Sequence, residues 1–130
     1  MLKTKPYRNK KHLAWIRTKP CCHCGTNLDV VAHHLISCGL GGAMGSKQSD
    51  ALTMPLCVHC HAIVHSAGGT KAINQLWYFY QLIRMAFRNN EMVGDTDNLG
   101  FCIADDDTDY LIGFAKNVRD RFAGGEMRLR

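Results

Sequence analysis

Two Cys-x-x-Cys pairs, Cys21/Cys24 in "CCHCG" and Cys57/Cys60 in "LCVHC", constrain this chain more than any other feature. Each pair puts two thiolates on one tight turn. Two such turns offer the four sulfurs that tetrahedral Zn²⁺ takes in a closed, structural site. With 130 residues the chain buries a modest core, so the binding energy of an ion counts directly toward folding. A disulfide framework fits less well, because seven cysteines leave one unpaired. The basic start, "MLKTKPYRNKKHLAWIRTKP", lacks the apolar run of a secretory leader, and no stretch of about 18 apolar residues offers a membrane span. The chain therefore reads as a cytoplasmic protein, in a compartment where spaced cysteines bind metal. Cys22, Cys38 and Cys102 fall outside the pairs, and Cys22 competes with Cys21 only through the less common Cys-x-Cys bite.

Length predicts one domain over residues 1–130, with a basic arm and helix over 1–20, a metal-bearing core over 21–69 and a helical extension over 70–130. The expected fold class is α+β. A helix is predicted over 9–18, closed by Pro20, then a cysteine-bearing turn and a strand at "VVAHHLI". A Gly-rich loop over 37–53 leads through "MPLCVHC" into a helix at "HAIVHSAGG". One long helix is predicted over 70–89, started by Thr70, with Ile73, Leu76, Trp77, Tyr80, Ile83, Met85 and Phe87 as a packing stripe. A short strand at "GFCIA", a last helix at "TDYLIGFAKNVRDRF" and a frayed tail "AGGEMRLR" complete the reading. The net charge of +5 is unevenly placed: the first 20 residues carry seven Lys and Arg and no acid, while acids gather over 91–109. Such a basic arm suits phosphate backbones, and equally suits a solvated terminal segment.

The histidines form a second constellation. His61 and His65 lie four apart at the start of a predicted helix, so both leave one face, the spacing by which helices grip a metal. Their place directly after Cys60 ties them to the cysteine turn. A third imidazole, from His33 or His34, would complete an open site with room for water. Because neighbours on a strand point to opposite faces, one of these two coordinates while the other faces the adjacent space. An imidazole with pKa near ~6.5 suits a general base at neutral pH.

In that order, "CCHCG…AHHL…SD…PLCVHCHAIVH" resembles the HNH, or ββα-metal, endonucleases over residues 21–65. More narrowly it resembles the small phage and prophage type, the recombination-enhancement (Ref) and YbcO-like nucleases among them, and "GSKQSD" resembles their G-x-K-x-x-D segment. The resemblance implies a small zinc-stabilised ββα-metal core with flanking helices. It implies His33 as metal ligand, His34 as general base, and His61 and His65 as the ligands that complete the site. The middle Asn of the family has no counterpart. Leu52 stands there, and Asp50 is the nearest polar candidate, expected to brace His34 by a hydrogen bond to its backbone or ring.

The implied activity is metal-dependent hydrolysis of DNA phosphodiester bonds to 5′-phosphate and 3′-hydroxyl ends, with little sequence specificity, in phage or prophage recombination or DNA processing. Three imidazoles suit Zn²⁺, Ni²⁺ or Mn²⁺, and Mg²⁺ serves where phosphate supplies oxygens. Lys47 is placed to touch the phosphate, or is a plain solvated lysine. Arg8, Lys10, Lys11, Arg17 and Lys19 are the candidate backbone contacts. A recombination protein is the expected partner besides DNA. Two other readings stand beside the nuclease: a non-catalytic zinc-stabilised DNA-binding module, and a phage accessory protein that acts by binding a host protein.

Overall fold

The computed structural model describes residues 7–40, 48–94 and 104–130. Its elements are α1 (Lys10–Arg17), β1 (Val30–His34), β2 (Thr53–Cys57), α2 (Val58–Val64), α3 (Gly69–Ala72), α4 (Gln75–Arg88), β3 (Met92–Gly94), α5 (Thr108–Ala123) and β4 (Met127–Leu129). The architecture is mixed α+β, built on two small antiparallel pairs, β1–β2 and β3–β4. Among the described residues no helix is long and apolar enough to cross a membrane.

β1 and β2 pair in a register that sets His33 opposite Met54 and His34 opposite Thr53. All five residues of β2 are buried, and α1, α2 and α4 pack against the hairpin. Pro55 carries no N–H, yet its carbonyl accepts from the Cys22 amide at 2.9 Å, which lays the first cysteine turn along this strand. Cys57 ends β2 and caps α2, its sulfur accepting from the Cys60 amide. A strand therefore runs into a helix with no linker, and α2 begins at Val58, three residues before the predicted start.

The predicted helix over 70–89 is two helices. Asn74 caps α4 by accepting from the Trp77 amide at 3.2 Å, and Ile73 before it is extended and buried. A short polar side chain that satisfies an orphan amide outcompetes helix continuation there. The stripe shifts accordingly: Leu76, Phe79, Tyr80, Ile83 and Ala86 are buried, whereas Met85 is 45% exposed. Phe114 of α5 closes the core against this stripe, its ring centroid 4.9 Å from that of Tyr80. Gly69 is required where the chain turns after α2, since a Cβ there would stand 1.7 Å from the Ile63 carbonyl oxygen. The tail predicted to fray instead forms β4, which pairs Met127 with Gly94 and Leu129 with Met92. Three residues a strand are too few for alternation to register in the sequence. The predicted strand at 100–104 falls, but for its last residue, outside the described residues.

α1 follows its predicted bounds closely, capped by Asn9, whose side chain accepts from the His12 amide at 3.0 Å. It buries Ile16 and, unexpectedly, His12. The His12 ring packs 5.1 Å from Phe122 and 5.6 Å from Trp15, and neither ring nitrogen has a hydrogen-bond partner among the described residues. Burial pushes its pKa down to about 4, against the pull of the Asp50 charge. The unfolded chain then takes up a proton below about 6.5 that the folded chain refuses until about 4. Stability should therefore rise with pH across that window, by about 3 kcal/mol from this group at most. Urea unfolding at several pH values should show a shallower slope for His12→Phe than for the wild type. Equal slopes would remove His12 from the account.

Candidate metal centres and the His34–Asp50 pair

Cys21, Cys24, Cys57 and Cys60 each offer a sulfur within 4.8 Å of the others, and Cys24 Sγ lies 3.6 Å from Cys57 Sγ. Tetrahedral zinc with bonds of about 2.3 Å separates its sulfurs by about 3.8 Å, so the cluster has the dimensions of such a site. The two turns share a pattern: the Cys24 amide donates to Cys21 Sγ at 3.5 Å, and the Cys60 amide to Cys57 Sγ at 3.4 Å. In the first turn Gly25 takes φ +81°, and its amide closes back on the Cys21 carbonyl at 2.9 Å. Burial pushes the Cys21 thiol up, but backbone amides of Cys24, Cys57 and His23 outweigh it and bring the pKa down to about 6. Burial and the neighbouring sulfurs drive Cys60 upward. Four sulfurs gathered at these distances are a set that a cation can ionise together. These four residues can hold a metal ion, and structural zinc is compatible with them.

Cys22 does not compete. It lies outside the cluster, and burial raises its thiol to about 12; Cys38 is likewise raised by burial to about 11. His23, not singled out in the sequence, stands beside the cluster with Nδ1 3.4 Å from Cys60 Sγ.

His33, His61 and His65 form the second group, each with a ring nitrogen within 4.8 Å of the others. His33 is buried on β1, and its ring centroid lies 5.0 Å from that of His61 on α2 and 5.5 Å from that of His65, the residue that caps the end of α2. The helical pair brings its Nε2 atoms to 3.1 Å. Burial lowers the His33 pKa to about 4, opposed by Gln75 and aided by the neighbouring histidines; burial and His65 lower His61 too. At neutral pH His33 is therefore the neutral imidazole that metals bind. Its Nε2 meets Gln75 Oε1 at 2.8 Å, while its buried Nδ1 has no hydrogen-bond partner among the described residues. A buried orphan nitrogen beside two converging imidazoles fits a cation.

His34 points the other way. Its Nε2 lies 2.8 Å from Asp50 Oδ1, so the hydrogen bond expected of Asp50 is present, made to the ring. Leu52, two residues on, is fully buried apolar core. Asp50 is itself held by the N-terminal segment: Oδ2 accepts from the Asn9 amide at 2.8 Å and Oδ1 from Arg8 at 3.2 Å. Burial pushes the Asp50 carboxyl up. The His34 bond, the Asn9 amide and the charges of His34 and Arg8 outweigh burial and bring it below the ordinary carboxylate value.

The sequence-derived contacts divide. Arg8 also donates to the Gln48 carbonyl at 2.6 Å and belongs to the Asp50 brace. Lys19 pairs with Glu91 and lies over the Trp15 ring. Lys10, Lys11 and Arg17 are exposed on α1, and Lys47 lies outside the described residues. Gln75 had no signal at all, since its partners lie 39 and 42 residues away.

The family model described as "Protein of unknown function (DUF968)" matches residues 1–87, two thirds of the chain. The chain belongs to the DUF968 family. Both residue groups lie inside the DUF968 match, as do β1, β2 and α1 to α3. The "Uncharacterized protein YdfU" of Escherichia coli (strain K12) is 39% identical over 64 residues. That alignment covers 49% of this chain and 18% of the relative, so the chain spans about a fifth of the curated relative it matches. No solved structure matches.

The cysteine assignment predicts a contrast. Cys21→Ser should lower bound zinc and depress the melting temperature, by an amount on the order of 10 °C or more. Cys22→Ser should leave both unchanged. Elemental analysis and thermal melts of the two variants check this, and equal zinc loss would undo the assignment.

Proposed function

We propose that this chain is a metal-dependent endonuclease of the HNH, ββα-metal type that hydrolyses DNA phosphodiester bonds. The observation that carries the reading is the division of the adjacent histidines, His33 toward His61 and His65, His34 toward Asp50. The chain order β1–β2–α2, with the cysteine cluster at its base, also agrees with a small zinc-stabilised ββα-metal core.

His34 is equipped as a general base. Asp50, held below the usual carboxylate range, is ionised at neutral pH and can only accept. In the neutral His34 ring the proton therefore sits on Nε2 and is donated to Asp50, which leaves Nδ1 with its lone pair. The His34 side chain is 27% exposed, so water can reach it, and the Asp50 carboxylate stabilises the imidazolium formed by proton uptake. Water deprotonated by Nδ1 attacks phosphorus, the bond to the 3′ oxygen breaks and the departing oxygen takes a proton from solvent, giving 5′-phosphate and 3′-hydroxyl ends. A divalent ion held by His33, His61 and His65 would supply Lewis-acid neutralisation of the charge developing on the phosphate.

The donor set is three imidazoles, with Asp50 committed to His34, Arg8 and Asn9. Zn²⁺, Ni²⁺ or Mn²⁺ suits it, with Mg²⁺ as a weaker occupant. Lys10, Lys11 and Arg17 supply phosphate contacts that position without selecting sequence. The setting we propose is phage or prophage DNA processing in a bacterial cytoplasm, with a recombination protein as partner.

His34→Ala should cut cleavage of plasmid DNA by about 10²- to 10⁴-fold in Mn²⁺ or Mg²⁺ while zinc content and far-ultraviolet circular dichroism stay at the wild-type level. Nicking at the wild-type rate would remove His34 from its role. Cleavage that purification removes from the wild type, with DNA binding retained, would favour a non-catalytic zinc-stabilised binding module.

A further inference from the structure

Gln75, the first residue of α4, is buried and makes three hydrogen bonds to β1 and the chain just beyond it. Its Oε1 meets the Ile36 amide at 3.0 Å and His33 Nε2 at 2.8 Å, and its Nε2 meets the Ile36 carbonyl at 2.8 Å. The backbone of Ile36 decides which way this amide faces. An amide N–H can only donate, so it demands the oxygen of Gln75, and a carbonyl can only accept, so it demands the nitrogen. With Gln75 oriented by Ile36, the atom facing His33 is an acceptor. The proton of the neutral His33 ring must therefore lie on Nε2, and the lone pair on Nδ1, the atom that is buried without a hydrogen-bond partner among the described residues.

We propose that Gln75 is a positioning residue that fixes His33 in the Nε2–H tautomer, so that its Nδ1 is the donor offered to a divalent ion shared with His61 and His65. This rests on the metal site of the proposed function but not on DNA cleavage. It makes α4, outside the stretch of the HNH resemblance, part of the metal centre. A ligand imidazole whose far nitrogen is held by a buried acceptor keeps its ring orientation and basicity, and loss of such a partner costs about 10- to 100-fold in metal affinity.

The test compares wild type, Gln75→Met and Gln75→Glu, each checked for wild-type far-ultraviolet circular dichroism and zinc content at the cysteines. Methionine keeps the bulk and removes the acceptor; glutamate keeps an acceptor toward His33. Long-range nitrogen–proton correlation spectra read the His33 tautomer in the apo histidine site, and Ni²⁺ titration of the zinc-loaded protein reads affinity. Wild type and Gln75→Glu should show a proton on Nε2 and bind Ni²⁺ within a few-fold of each other. Gln75→Met should show mixed tautomers and bind about 10- to 100-fold more weakly. A wild-type proton on Nδ1, or Gln75→Met binding as tightly as wild type, would overturn the proposal. Absence of cleavage in a protein that shows the full Gln75 effect would overturn the nuclease reading and leave this one standing.

Discussion

The pairing of β1 with β2 is the constraint on which the site depends. A strand sends neighbouring side chains to opposite faces, and a slip of one residue would exchange His33 for His34 throughout. The register is held at the end where the cysteines are. Val30 lies opposite Cys57, the Val58 amide donates to the Asp29 carbonyl at 3.0 Å, and the first cysteine turn bonds to Pro55. An ion that draws the four sulfurs together would also lock this register. The same residue, Cys57, closes the strand and caps α2, so the helix that bears His61 and ends at the His65 cap starts from a fixed point. The sulfur cluster and the histidine cluster are thus two ends of one rigid piece.

The second support comes from chain distant in sequence. Residues 7–9 hold Asp50 from one side, with the Asp50 amide returning a bond to the Tyr7 carbonyl at 3.0 Å, and α4 holds His33 from the other through Gln75. Each histidine thereby has one nitrogen tied to a buried oxygen and the other left open. Buried polar groups of this kind specify orientation at a cost in desolvation, and the network is stabilising only while every member is satisfied.

How much of this was legible follows from how local each signal is. The cysteine pairs, the His61/His65 spacing and the split of His33 from His34 are properties of short windows, and the structure gathers the four sulfurs and sets His33 with His61 and His65 while His34 meets Asp50. Counting back from "PLC" reached Leu52, which is buried core, and Asp50 entered only as a polar candidate nearby, the side chain that bonds the His34 ring. Gln75, Arg8 and His23 act across 37 to 42 residues, and no periodicity points to such contacts. The break at Asn74 was hidden because the apolar stripe runs through it, and one capping side chain outweighed that pattern. The β3–β4 pair was hidden because its strands are three residues each.

The central claim is that one exchangeable cation sits among His33, His61 and His65, apart from the sulfur-bound ion. Diffraction from crystals soaked in Ni²⁺, recorded on both sides of the nickel absorption edge, tests it most directly. The account predicts a nickel peak bound by His33 through Nδ1 together with His61 and His65, while the density at the four sulfurs shows no nickel edge. Nickel found only at the cysteines, or at the surface histidines without His33, would contradict it.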